Sequence, residues 1–434
     1  MNRREFLGAV SRVAGTAAVA AMANFEPTGA EAALARVAAH PGTPDEAAAD
    51  EALWFAVQQA FTVDRSVVNL NNGGVSPSPA VVQAAHKQLL DFSNSTPPPV
   101  ALWEVLDPQR EPIRRRLART FGVDGEEVAF VRNASEGLEI CQQGFDLAKG
   151  DEIVASNQDY PRMLATFAQR ARREGIVFRQ FSLPVPAEDE DEIVELYRRQ
   201  LTPRTKLLLM CQVINLTGQI LPVKRVVALA RERGIPVIVD GAHAFAHYDF
   251  DHADLGCDYY ATSLHKWLFA PHGTGMLYVK KEAIRGLWPL MAAPPALDSD
   301  IRKFEEIGTH PSAQILAIAE ALTFHEGIGA ARKAARLRLL RDRWALRLAR
   351  HERVRLHTSL KPGKACAIAN FEVVGIDPYP LTAHLWKQHR ILVTPIVHPE
   401  FKGVRVTPSV YTTLAEIDQF GAVMEEILEQ GLPG

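Results

Sequence analysis

Two short motifs carry residue types that could do chemistry, and they lie about 25 positions apart in the chain. Ile235 to Val239 is an apolar, β-branched run that ends on Asp240, with Gly241 just after it. Such a run is expected to form a buried strand whose carboxyl end delivers a carboxylate into a site. Cys257 to Thr262 reads as a second short strand and leads into Ser263-Leu264-His265-Lys266. Lys266 is followed by Trp267, Leu268 and Phe269, a poor setting for a solvated charge. Burial disfavours the ammonium form, which turns a lysine into a nucleophile able to form a Schiff base. An acid at one strand end and a lysine at the next suit a pyridinium cofactor held at both poles.

Plainer readings exist for each residue. Asp240 could cap a turn, and Lys266 could lie over aromatic surface with its amine in water. His243, His247 and His252 with Asp240, Asp249 and Asp251 could hold a metal, although the glutamate of a zinc-protease helix is absent from His243 to His247. It is the joint spacing of Asp240, His243, Ser263, His265 and Lys266 that favours the cofactor.

The elements that must position these residues alternate. Val128–Val131, Glu152–Ser156, Ile176–Leu183, Thr205–Val213 and Ile235–Val239 read as strands separated by helical stretches. This predicts an α/β fold with a mostly parallel sheet, helices on both faces and ligands at the carboxyl strand ends. The strand ending at Val131 leads into Arg132-Asn133-Ala134-Ser135-Glu136-Gly137 at a helix start. Free N–H groups and the helix dipole there suit a phosphate, while Ser135 as an ordinary N-cap is the alternative.

Val-Asp-Gly-Ala-His followed by Ser-Leu-His-Lys-Trp resembles the signature of class V aminotransferase-fold enzymes, which use pyridoxal 5'-phosphate; the similarity runs from about Val68 to the C-terminus. It implies a fold-type I large domain over 61–310, with a seven-stranded type of sheet, and a smaller C-terminal α+β domain with a connecting helix over 311–434. It implies that Lys266 carries the cofactor and shuttles protons, and that Asp240 pairs with the ring nitrogen. Asn215 and His243 would approach the phenolic oxygen, and Tyr160 would stack on the ring where desulfurases have histidine. Ala134, Ser135, Ser263 and His265 would bind the phosphate. Thr309 would reach a partner's phosphate across a homodimer with shared sites, and Arg405 would clamp the substrate carboxylate. Among these enzymes the pattern is most similar to isopenicillin N epimerase-like proteins, some of which tailor siderophore side chains in the periplasm. The implied activity is epimerase or aminotransferase chemistry at the Cα of an amino acid or amino-acid-bearing compound. A carbon–sulfur or other β-eliminating lyase and a catalytically silent cofactor-binding scaffold are the alternatives. The loop Val393 to Lys402 lacks the cysteine that desulfurases carry there.

The rest of the chain limits these readings. Its 434 residues, 47% of them hydrophobic, are ample for a large core, and a net charge of -3 makes no electrostatic case for nucleic acid. Cys141, Cys211, Cys257 and Cys366 are scattered and read as core residues. No apolar stretch is long enough to be a good membrane span. Met1 to Ala23, with Arg3, Arg4, Phe6 and Leu7, resembles a twin-arginine export signal, which predicts engagement with that translocase and a periplasmic location. Residues 24–60 are expected to be a linker and N-terminal segment. Ala331 to Arg350 is arginine-dense, but Leu337, Leu340, Trp344 and Leu348 make one apolar stripe, so a solvated amphipathic helix is expected.

Overall fold

The computed structural model describes residues 29–432. The expected signal at 1–23 lies outside them.

Seven strands form the central sheet, in the order Val128–Val131, Gly275–Val279, Tyr259–Ser263, Val237–Asp240, Thr205–Cys211, Glu152–Ser156, Val177–Phe181. Its inner strands are buried on both faces, as their continuous apolar runs require. All pairings are parallel except those of Gly275–Val279, which runs antiparallel to both neighbours. That strand is absent from the expected set, because its run begins on Gly275 and follows a turn, with no crossover helix to announce it. Gly275 also sets geometry. A Cβ there would lie 2.6 Å from the Asn133 Cα, so only glycine lets the turn before the Ala134–Gly144 helix settle against the sheet.

The smaller domain packs its helices on a four-stranded antiparallel sheet, ordered Thr394–Val397, Lys402–Val406, Ala369–Val373, Val354–Leu356. Trp344, Phe371, Val404, Phe420 and Met424 fill its core. Val68–Asn69 crosses from the N-terminal side to pair in parallel with Ile391–Leu392, so this piece of the span assigned to the large domain is tied to the small one.

Two expectations are corrected. The segment read as a linker forms helices Gly29–Ala39, Pro44–Ala49 and Glu51–Gln59, and Ala33, Val37, Leu53, Trp54 and Val57 enter the main core. Small alanines hide this in composition, because they bury well only against a surface supplied from elsewhere. The helix Ala330–Leu348 does bury its expected stripe, but Lys333, Arg336 and Arg341 are buried as well. They serve inward carbonyls: Lys333 that of Trp267, Arg336 those of Ala48 and Thr412, Arg341 that of Ala365. A buried cation needs such partners, and sequence periodicity does not show them.

Among the described residues no helix is long and apolar enough to cross a membrane.

Candidate active site

Strand ends converge on one cavity of about 170 Å³. Ala134, Ser135, Tyr160, Asn215, Asp240, His243, Ser263, His265 and Lys266 all line it. Parallel strands put their carboxyl ends on one edge, and the order of the sheet sets the ends of Thr205–Cys211, Val237–Asp240 and Tyr259–Ser263 side by side. Gly241 makes the tightest of these turns possible, since a Cβ there would fall 1.9 Å from Cζ of Tyr260.

Lys266 lies at the centre. Its Nζ is 3.1 Å from Nε2 of His243, and burial pulls its pKa down to about 8. Asp240 opposes that shift through its charge, and Arg405 assists it. Asp240 is buried, and desolvation raises its pKa while the N–H of Ala242, 2.9 Å from Oδ1, and the charge of Lys266 oppose the rise. A buried carboxylate of this kind favours a cation opposite it. His243 is held neutral, first by burial and then by the charges of Lys266 and Arg405.

The residues expected to bind phosphate gather at the start of the helix Ala134–Gly144. Asn133, not Ser135, is the N-cap: its side chain accepts from Glu136 N at 2.9 Å. Ser135 therefore lies in the first turn of the helix rather than at its cap. Ser263 Oγ accepts the Ala134 N–H at 3.0 Å, which leaves the Ser263 hydroxyl proton to donate elsewhere. His265 gives its Nδ1 proton to the carbonyl of Thr274 at 3.0 Å, and burial lowers its pKa to about 4. A phosphate dianion beside Nε2 would draw a proton back onto that ring.

Across the cavity, Asn215 Oδ1 is buried with no partner. Arg405 donates to the carbonyl of Asn215 at 2.9 Å and to Asn71 Oδ1 at 3.1 Å, while its buried Nε has no partner. Burial lowers its pKa to about 10. The guanidinium is thus fixed from two sides with one buried donor unused, although Arg405 does not itself line the cavity. Thr309 is exposed and does not line this cavity.

Several residues that shape the site were not anticipated. Asn71 aims Arg405 and also accepts from Thr394 Oγ1 at 2.5 Å. Asp159, beside Tyr160, is fully buried and pushed up to about 6 by desolvation. It accepts from Cys211 N and Sγ at 2.6 and 2.9 Å and from Ser156 N and Oγ, both at 2.8 Å, which braces the turn that carries Tyr160. Cys211 lines the cavity, and its place as the last residue of a strand level with Asp240 is the signal that could have found it. The three histidines considered for a metal diverge. His247 accepts the Ala367 N–H, and His252 packs among Phe121, Tyr260 and Tyr278.

Comparison with known proteins agrees with this geometry. The chain is 32% identical over 402 residues to isopenicillin N epimerase of Amycolatopsis lactamdurans, covering 86% of this chain and 98% of that one. A cysteine desulfurase of Klebsiella pneumoniae is 31% identical over 231 residues, 50% of this chain and 56% of that protein. The fold resembles that of C-DES with glycine covalently linked to its PLP cofactor, at a TM-score of 0.76 and 22% identity, covering 85% of this chain and 98% of that one. Residues 68–420 match the Aminotransferase class-V family, and the chain belongs to it as a fold-type I, pyridoxal-phosphate-dependent enzyme.

Proposed function

We propose that this enzyme breaks a bond at the Cα of an amino acid or amino-acid-bearing compound, in the manner of an epimerase or aminotransferase. The observation that carries the reading is a buried lysine of lowered pKa beside a neutral imidazole, with an arginine anchored on Asn215 of the cavity wall. The residues fit pyridoxal phosphate: an orphaned buried amide oxygen on Asn215 and a buried carboxylate on Asp240 are groups that need a polar occupant. Lys266 would hold its carbonyl carbon, Asp240 its ring nitrogen, and Ser135, Ser263 and His265 its phosphate. Bound there, the cofactor supplies an electron sink for the bond that breaks. Arg405 orients the substrate by its carboxylate, and Tyr160 covers the ring. Lys266, as a free amine, would take or return the proton at Cα, which its lowered pKa suits near neutrality.

A sulfur-transfer reading has little support from the thiols. All four cysteines are buried. Burial raises Cys366 to about 11, and Cys211 is held by Asp159 with its pKa raised. Desulfuration needs a thiolate that can move to the substrate. The experiment is incubation of the purified holoenzyme with amino acids in deuterated water, following Cα exchange, chirality and keto-acid formation. Exchange with inversion or amino transfer supports the proposal. Alanine released together with a labelled persulfide on Cys366 or Cys211 overturns it.

We further propose a homodimer in which Thr309 completes the partner's phosphate site. Thr309→Ala and Lys266→Ala chains mixed as heterodimers should then complement partially, and a monomeric, fully active enzyme refutes it. The arginine pair at the N-terminus supports export to the periplasm, where an exported metabolite such as a siderophore side chain would be a substrate. Replacing Arg3 and Arg4 by lysine should retain active protein in the cytoplasm; unchanged periplasmic recovery argues against the signal.

A further inference from the structure

His243 carries one proton on two ring nitrogens, and residues outside the cavity decide where it sits. The Trp267 indole N–H points at Nδ1 of His243, 3.4 Å away. An indole nitrogen only donates, so Nδ1 must offer its lone pair. The ring is neutral, because it is buried and faces the cations Lys266 and Arg405. Its single proton therefore belongs on Nε2, the atom 3.1 Å from Lys266 Nζ.

The indole is held in place from its own far side. His247 stacks on it with ring centres 3.7 Å apart and planes within 3°. The roles of His247 are themselves fixed: Ala367 N–H donates to its Nε2 at 2.9 Å, so its proton lies on Nδ1 and goes to the carbonyl of His243 at 2.7 Å. Lys333, buried against Phe269, bonds the carbonyl of Trp267. Ring, indole and backbone thus form one closed unit under the lysine.

We infer that Trp267, braced by His247, locks His243 as the tautomer protonated at Nε2, so that this imidazole enters the cavity as a donor and Lys266 meets it as an amine acceptor. An Nε2 proton aimed at Nζ disfavours an ammonium donor there and favours the neutral amine. Asp240 pulls the other way by favouring the charged lysine, while Arg405 disfavours it; Cys211, if ionised, would side with Asp240. Burial first, and then the charges of Lys333, Arg341 and Arg338, keep the His247 ring neutral as well. Trp267 and His247 are positioning residues. Resting on the proposed cofactor contacts, the same Nε2–H would donate to the phenolic oxygen.

Nitrogen NMR of the full chain with labelled histidine, as holoenzyme and after cofactor removal, reads the tautomer directly. The expected spectrum has an unprotonated Nδ1 and a protonated Nε2 on His243 in both forms. In Trp267→Phe both tautomers should populate. The pH at which an amine reagent modifies Lys266 in the cofactor-free chain should then rise by about one unit. A merely structural loosening would leave the tautomer unmoved. A wild-type His243 protonated at Nδ1 overturns the inference, as does a folded Trp267→Phe protein whose tautomer and Lys266 titration are unchanged. Should that variant not fold, coupling between the Trp267 indole proton and His243 Nδ1 in the wild type decides, and its absence overturns the inference. Borohydride fixation of the cofactor on Lys266 is read separately, so a failure of the cofactor assignment is distinguishable.

Discussion

Two clusters of buried charge in this protein differ in whether their carboxylate is already saturated by cations. Around Glu305, whose side chain is 7% exposed, each carboxylate oxygen meets a guanidinium: Arg110 at 2.5 Å, and Arg114 on both oxygens. Phe130 N–H adds a further donor at 2.7 Å, and Arg302 extends the network to Glu111 and Glu126 at 2.6 and 2.8 Å. Around Lys266, Asn215 Oδ1 in the cavity wall and Nε of Arg405 beside it have no partner, whereas the Glu305 cluster leaves Arg110 Nε unpaired but saturates its carboxylate. Burying polar groups without partners costs stability, and a site accepts that cost where a ligand will supply them. The first cluster holds the Arg110–Phe121 helix, the Val128–Val131 strand and the segment at Glu305 together; the second waits to hold something else.

The comparison breaks most sharply at Lys266. Lys266→Ala should lower turnover by about 10²–10⁴-fold and abolish borohydride fixation, with the denaturation midpoint of the cofactor-free chain little changed. An adduct on Lys280 or Lys281 by mass spectrometry would remove the assignment. Glu305→Ala should do the reverse. Leaving Arg110 and Arg114 buried without their carboxylate costs about 3–5 kcal/mol by denaturant titration, whereas the folded fraction keeps its KM. Equal stability of that variant would mean the network is not what pins these elements.

Asn71→Ala sharpens the comparison, because Asn71 lies outside the residues expected to bind substrate and its tie to the site runs through Arg405. Loss of one acceptor on a buried guanidinium should raise KM about tenfold with kcat nearly constant. A fall in kcat alone would contradict that role. Attachment of cofactor to the cofactor-free chain depends on the neutral amine of Lys266. Its rate should climb as pH rises toward about 8 and level off above it, as followed by visible absorbance. A flat profile between neutrality and that value would place the lysine's pKa elsewhere. The smallest effect belongs to Glu111, whose pKa Arg302 and Arg114 lower to about 2 against the opposing pull of burial. A carboxylate with a depressed pKa stabilises the fold above its ordinary value and loses that contribution as pH falls toward 2. Because the side chain is 32% exposed, Glu111→Gln should cost only about 0–1 kcal/mol near neutrality and flatten the acid limb of the stability curve.

What the sequence determined by itself was local. The strand ends at Asp240 and Ser263 and the helix start at Ala134 follow from short, mostly apolar runs that stop at small or polar residues. Lys266 could be named because an amine beside three large apolar residues is costly unless it is used. Tertiary structure alone decided the rest. Asn71 reaches Arg405 across 334 positions, and Glu305 meets Arg114 across 191. Gly275 matters only because Asn133 packs on it, and the alanine-rich N-terminal helices bury only because Arg336 and the core are there to receive them. Periodicity records how a segment meets water. It carries no record of which distant backbone or side chain will satisfy a buried charge, because that partner is chosen by the packing of the whole chain.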